Sequence, residues 1–268
     1  MNVLSLEAAT GAALCALQID GEGEATVRAI FVLEEARELS QHLIGAVQST
    51  LGHAGWALDD VDVLAVGLGP GSWTGLRIAL STWKTLAQTR DIALVGVPSY
   101  DAWAQAAWRK LHEEEHREEN AEEDADADQS TLGASRLLLV SGACRPGEVY
   151  GKIFESHPEY LMAAQDEWIA AEQQMLDTLW TQALSRHIEA APLLVGTPLL
   201  PPGLAQRMNQ SGEAFATMEV SIEEASVEVA IAGAIAMAEG EVSDPLILQP
   251  LYLAPSAAER NLLPSASL

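Results

Sequence analysis

The chain has 268 residues, and its 39 acidic side chains against 14 basic ones give a formal charge of −25. That length can bury a substantial core and exceeds a usual single domain. The charge excludes a stand-alone nucleic-acid binder, whose affinity comes mainly from Lys and Arg against phosphates. Two cysteines, Cys15 and Cys144, build no disulfide framework and lack metal-ligand neighbours. No apolar run approaches membrane-spanning length and no basic patch precedes the first apolar segment, so a cytoplasmic protein with no membrane contact is expected.

Apolar runs with β-formers predict strands over Asn2–Leu6, Ala13–Ile19 and Ala25–Phe31, followed by a helix over Glu34–Leu51. A strand at Val61–Val66, a helix at Gly75–Thr89, a strand at Ala93–Val97 and a helix at Ser99–Leu111 complete the first half. Next comes EEEHREENAEEDADAD, Glu113 to Asp128, with ten acids and one arginine. Such a run repels itself and buries nothing, so residues 112–133 are expected to form a mobile acidic insertion. Its net −9, taken from −25, leaves −16 on the remainder. The second half predicts strands at Arg136–Ser141, Glu148–Glu155, Tyr160–Ala164 and Leu193–Val195, with helices at Ala170–His187 and Val227–Glu239. The expected organisation is an α/β protein with one unit over 1–111, another over 134–253, and a flexible tail over 254–268.

Gly67-Leu68-Gly69-Pro70-Gly71-Ser72-Trp73-Thr74-Gly75-Leu76-Arg77 carries the most chemical information. A strand, a glycine-rich turn and a helix N-terminus gather backbone N–H groups, which suits a phosphate. The alternative is a tight connection whose glycines only supply unusual backbone angles. Walker A fails because Leu76 follows Gly75, and G-x-G-x-x-G fails because Gly71 follows Gly69 and Pro70. No H-E-x-x-H or G-x-S-x-G occurs, and His42, His53, His112, His116, His157 and His187 have no ligand-spaced partners. Neither a catalytic set nor a metal set is therefore assigned.

The run GPGSWTGLR resembles the GPGSFTGLR signature of the bacterial TsaB family of tRNA threonylcarbamoyladenosine biosynthesis proteins, with Trp73 in place of phenylalanine. Met1 to Leu17, Ile92 to Ala104, Gly147-Glu148-Val149-Tyr150 and Gln249 to Leu253 resemble further family blocks, in the family's order. The resemblance implies the actin/Hsp70/sugar-kinase (ASKHA) fold, two related subdomains each with a mixed β-sheet flanked by helices. It also implies a phosphate position at Glu7, Thr10, Gly11, Gly69, Gly71, Ser72, Thr74 and Gly75. The family mostly has Asp-Thr where this chain has Glu7-Ala8, and histidine, arginine and aspartate where it has Leu39, Leu68 and Ala143. Glu7 then reads either as part of a phosphate or metal site or as a solvated strand-end acid capping the next turn.

Apolar stripes Ala36, Leu43, Val47, Leu51 and Leu76, Leu80, Trp83, Ala87 mark the first two helices. One such face per helix serves first to cover the sheet. The resemblance implies a second use, an interface with the paralogous transferase TsaD through Leu39, Leu43, Val47, Trp73, Leu76, Arg77, Leu80, Trp83 and Lys84. The implied role is a non-catalytic scaffold for threonylcarbamoyl transfer to adenosine 37 of ANN-reading tRNAs. It would have no cofactor of its own, with ATP, ADP or magnesium only at the complex boundary, and tRNA held only through the complex. The ATPase TsaE would join as third component. The rival readings are an active ATPase or phosphotransferase of this fold, a metallo-glycoprotease, and a homodimer through the same helix faces when TsaD is absent.

Overall fold

A computed structural model describes residues 1–33, 39–121, 135–145, 148–186, 188, 191–196 and 216–253. The first half gives β1 (Asn2–Glu7), β2 (Ala12–Ile19), β3 (Ala25–Leu33), α1 (Leu39–Ala54), β4 (Val63–Gly67), α2 (Trp73–Arg90), β5 (Ala93–Val97) and α3 (Ser99–Ala121). The second gives β6 (Arg136–Arg145), β7 (Glu148–Ser156), β8 (Leu161–Ala171), α4 (Glu172–Ser185), β9 (Leu193–Gly196), β10 (Ala216–Glu219) and α5 (Ile222–Glu239).

Two five-stranded sheets result, ordered β3-β2-β1-β4-β5 and β10-β9-β6-β7-β8. In each, the first three strands in chain order pair antiparallel and the last two join the first strand's other side in parallel, so the second sheet repeats the first. β1 shows how sequence sets the layers. Leu4 and Leu6 point into one core with Leu64, Val66 and the α1 and α2 side chains, while Val3 joins Val63, Ala65, Val229 and Ala230 on the other face. That period-2 alternation places α1 and α2 on one face of the first sheet and α5 on the opposite face. Gly233 lets α5 come close, because a Cβ there would sit 2.6 Å from that of Ala65. α3 packs on α5 and, through Tyr100, Trp103, Ala104 and Ala107, on the second sheet. A buried Lys152 on β7 joins Asp101 of α3 at 2.5 Å and Glu167 of β8 at 3.0 Å, tying α3 to that sheet.

Several boundaries differ from expectation. The helix expected to stop at Leu111 continues to Ala121, because Glu, Ala and Arg are good helix formers. Residues 122–128 of the acidic run and the 254–268 tail lie outside the described residues, as do Glu34 to Glu38 and Gly147. The last helix begins at Ile222, not Val227, because Ser221 and Glu224 form a reciprocal capping box at 3.2 and 2.7 Å. β8 runs to Ala171, well past Ala164, as a mostly half-buried edge strand in which Gln165, Asp166 and Glu167 weaken the apolar pattern. β10, with four residues, is too short to register as a pattern.

Candidate functional site

The glycine run bridges β4 and α2 and lies directly against the β1–β2 turn. Leu68 N–H donates to Val97 O at 2.8 Å, and Gly69 and Ser99 exchange two bonds at 3.0 Å. Ser72 N–H donates to Ala9 O at 2.7 Å, while the Ser72 hydroxyl accepts from Gly75 N–H and caps α2. The glycines are needed for close approach. A Cβ on Gly71 would sit 2.3 Å from Ala9 O, one on Gly75 2.7 Å from Ala8 O, and one on Gly67 2.1 Å from Glu7 Oε2. The N–H groups of Gly69, Ser72 and Gly75 are thus spent on bonds within the protein. Of the two sequence readings, the geometry matches the tight connection.

Glu7 caps the turn as one reading held, but it is fully buried, not solvated. Its Oε1 accepts from Ala9 N–H at 2.7 Å, and its Oε2 makes no hydrogen bond among the described residues. Burial dominates and pushes the carboxyl above its ordinary 4.5, against opposing effects from Ala9 N–H, the Ser99 hydroxyl and Ala8 N–H. Thr10 and Gly11 stand half-buried on the same turn, and Thr74 is exposed in the first turn of α2. A buried acid bonded to its own backbone, beside loop N–H donors already engaged within the protein, does not fit a phosphate. No group of three His, Cys, Asp or Glu side chains is placed to hold a metal among the described residues.

The raised carboxyl has a measurable consequence. The native state holds the Glu7 proton more tightly than the unfolded chain, so this contribution is greatest below pH 4.5 and declines as pH rises toward the native value. Glu7→Gln, which keeps the shape and an acceptor for Ala9 N–H, should melt higher than the parent at pH 8. The gap should close toward pH 4. Paired melting curves across that range check this, and a constant gap would refute a buried, proton-holding Glu7.

The expected interface residues separate by burial. Leu39, Leu43, Val47, Leu76, Leu80 and Trp83 are all buried in the core against the first sheet, so as contact residues they are corrected. Their stripe is the sheet-facing one, and covering the sheet uses it fully. Trp73 and Arg77 are exposed, and the half-buried Lys84 donates to Leu248 O at 3.0 Å. The outward face of α1 and α2 instead presents Gln41, Ile44, Gly45 and Gln48 beside Thr74, Arg77, Ser81 and Thr85. Ile44 is 55% exposed and was missed because it falls off the apolar stripe.

Residues Ser243–Leu253 form a strap along the same region. Ser243 N–H bonds Leu94 O at 2.7 Å on β5, Leu251 N–H bonds Leu68 O at 2.8 Å, and Leu248 and Leu251 pack on the core. At its end Tyr252 stacks on Trp73 with centroids 4.0 Å apart, and the Arg77 guanidinium lies 5.8 Å from the Trp73 ring centre. Leu39 and Leu68, which replace polar residues of the resembled family, are buried in one cluster beneath this surface. Ala143 lies on β6.

Two lobes built on the same five-stranded pattern, each opening on an antiparallel strand pair, have the arrangement of an ASKHA-like fold. Solved structures agree. The chain superposes with a TM-score of 0.66 on a Pseudomonas aeruginosa protein described as similar to peptidase YeaZ, at 22% identity over 94% of this chain and 99% of that one. YeaZ from Pseudomonas aeruginosa gives 0.63, with the same identity and coverage. In sequence, residues 31–117 match the family model for TsaD, tRNA N6-adenosine threonylcarbamoyltransferase. The tRNA threonylcarbamoyladenosine biosynthesis protein TsaB of Escherichia coli (strain K12) is 40% identical over 110 residues, 41% of this chain and 46% of that protein. TsaB of Bacillus subtilis (strain 168) is 36% identical over 81 residues, 30% and 35% of the two chains. These sequence alignments span less than half the length of the curated relatives they match. No helix among the described residues is long and apolar enough to cross a membrane.

Proposed function

We propose that this chain is a non-catalytic subunit in tRNA threonylcarbamoyladenosine biosynthesis, binding a TsaD-type transferase through the outward face of α1 and α2. The observation that carries the reading is where the similarity falls. Residues 31–117, the stretch matching the transferase family model, contain α1, the glycine run and α2. The buried polar-to-apolar positions Leu39 and Leu68 and the self-bonded Glu7 support a role without chemistry in that transfer. Nucleotide and magnesium, where the assembly uses them, belong at the subunit boundary. With −25 on this chain, tRNA is held by the partner, and TsaE joins as a third component. Binding energy spent on one TsaD conformation raises that conformation's population, which is how such a subunit activates.

Co-purification with the TsaD of the same organism tests the proposal. Wild type should give a complex, and Ile44→Glu with Arg77→Glu, both surface changes, should weaken it about 100-fold, roughly 2.7 kcal/mol, while leaving the fold intact. A wild type that forms no complex refutes the scaffold reading. A double variant that binds normally moves the interface off α1 and α2.

A further inference from the structure

A chemically competent cluster lies away from the α1–α2 face, at the junction of α3 with the β7–β8 hairpin. His157, in the turn after β7, has both ring nitrogens engaged. Nδ1 lies 2.9 Å from the Ser135 hydroxyl and Nε2 lies 3.2 Å from Glu155 Oε1. Glu155 Oε2 is in turn held by Arg186 at 2.6 Å, which orients the carboxylate. The imidazole stacks on Tyr160 with centroids 4.4 Å apart. The residue's backbone is pinned on both sides: the His157 backbone N–H donates to Tyr160 O at 2.8 Å, and Trp108 Nε1 donates to the His157 carbonyl at 2.9 Å. The His157 and Glu155 side chains are 22% and 15% exposed, so the ring is confined yet reachable.

A carboxylate only accepts, so the neutral tautomer that suits both neighbours carries its hydrogen on Nε2, facing Glu155. Nδ1 then offers its lone pair to the Ser135 O–H. A hydroxyl donating to an imidazole that is oriented by an acid is the general arrangement of an activated nucleophile, recognised by geometry whatever the chain order.

We propose that Ser135, His157 and Glu155 form a reactive-serine relay that accepts an acyl group from an activated donor such as an aryl ester or thioester. The Ser135 oxygen forms a bond to the acyl carbon while its proton passes to His157 Nδ1. The bond from acyl carbon to leaving group breaks, its electron pair goes to the leaving group, and the Nδ1 proton neutralises that group. Water then cleaves the Ser135 ester by the same route, returning the proton to the serine oxygen. Ser135 and His157 touch the reacting atoms, whereas Glu155 is a positioning residue. The donor is an activated one because its leaving group must depart readily. This activity stands apart from the partner-binding role and does not depend on it.

The sequence did not expose the set: the three residues come from before β6, the end of β7 and the turn that follows, with no motif spacing. The test uses the full chain and a fluorophosphonate probe, whose P–F bond is displaced by an activated serine with loss of fluoride. Peptide mapping should place one adduct on Ser135, absent in Ser135→Ala and in heat-denatured protein. His157→Phe keeps a ring against Tyr160 and should label about 100-fold more slowly. Glu155→Gln should slow labelling, with Glu155→Asp recovering part of the rate. Circular dichroism on each variant separates lost reactivity from lost fold. If Ser135 labels no faster than the other serines, or equally in folded His157→Phe, the proposal is wrong. Should His157→Phe not fold, wild-type and Ser135→Ala labelling still decide it.

Discussion

Leu80→Glu combined with Trp83→Glu should abolish the folded state, not merely a binding surface. Trp83 is fully buried and Leu80 is 4% exposed, both facing the first sheet beside Leu64, Val66 and Leu94. Truncating such residues alone costs about 3–5 kcal/mol for Trp and 2–5 for Leu. Two unpaired carboxylates in an apolar core add to that. The sum is comparable to the roughly 5–15 kcal/mol of a whole domain. Circular dichroism should therefore find the double variant unfolded at room temperature. A cooperative melt near the parent's would mean that α2 turns this face outward, and the separation of core from contact residues would fail.

Gly71→Ala should produce the second large loss, from a single methyl group. The added carbon would stand 2.3 Å from Ala9 O and 2.7 Å from the Ala9 carbonyl carbon and Cα, all backbone atoms. No side-chain rotation relieves that contact, and moving the turn breaks the 2.7 Å bond from Ser72 N–H to Ala9 O. About 3 kcal/mol of stability should be lost, the upper part of the overpacking range. Gly45→Ala is the internal control. Gly45 lies mid-helix on α1 with nothing within 4 Å of its would-be Cβ. There alanine should raise stability by about 0.5–1 kcal/mol. Denaturant titration of both variants reads the contrast directly. Equal, small effects would mean that the glycine run and the β1–β2 turn are not in contact.

Strand and helix identities in the first half were legible because β1, β4 and β5 are short apolar runs separated by helices with clear stripes. The glycine run was legible as a connection and as a family mark. Its chemistry was not, since carbonyl direction at Ala8 and Ala9 depends on long-range packing. Exposure on α1 and α2 was misjudged for a related reason: apolar spacing identifies the face against the sheet, so it selects Leu80 and passes over Ile44. Glu7 was read correctly as a cap and incorrectly as solvated, because burial at a strand end is set by α2 and α3 arriving from later in the chain. The Ser135, Glu155 and His157 cluster gave no signal at all, since its geometry comes from a hairpin turn closing on a neighbouring strand.

The placement of α5 has a consequence for synthesis. Strands β1, β2, β4 and β5 are complete once Val97 has been made, yet the face carrying Val3, Cys15, Val63 and Val95 is covered by residues up to Ala234. At about 10 residues per second, that sheet waits on the order of ten seconds with an apolar side uncovered. A nascent chain cut short before Ile222 would expose that surface permanently, so quality control during translation should recognise truncated copies as sticky, half-clothed sheets.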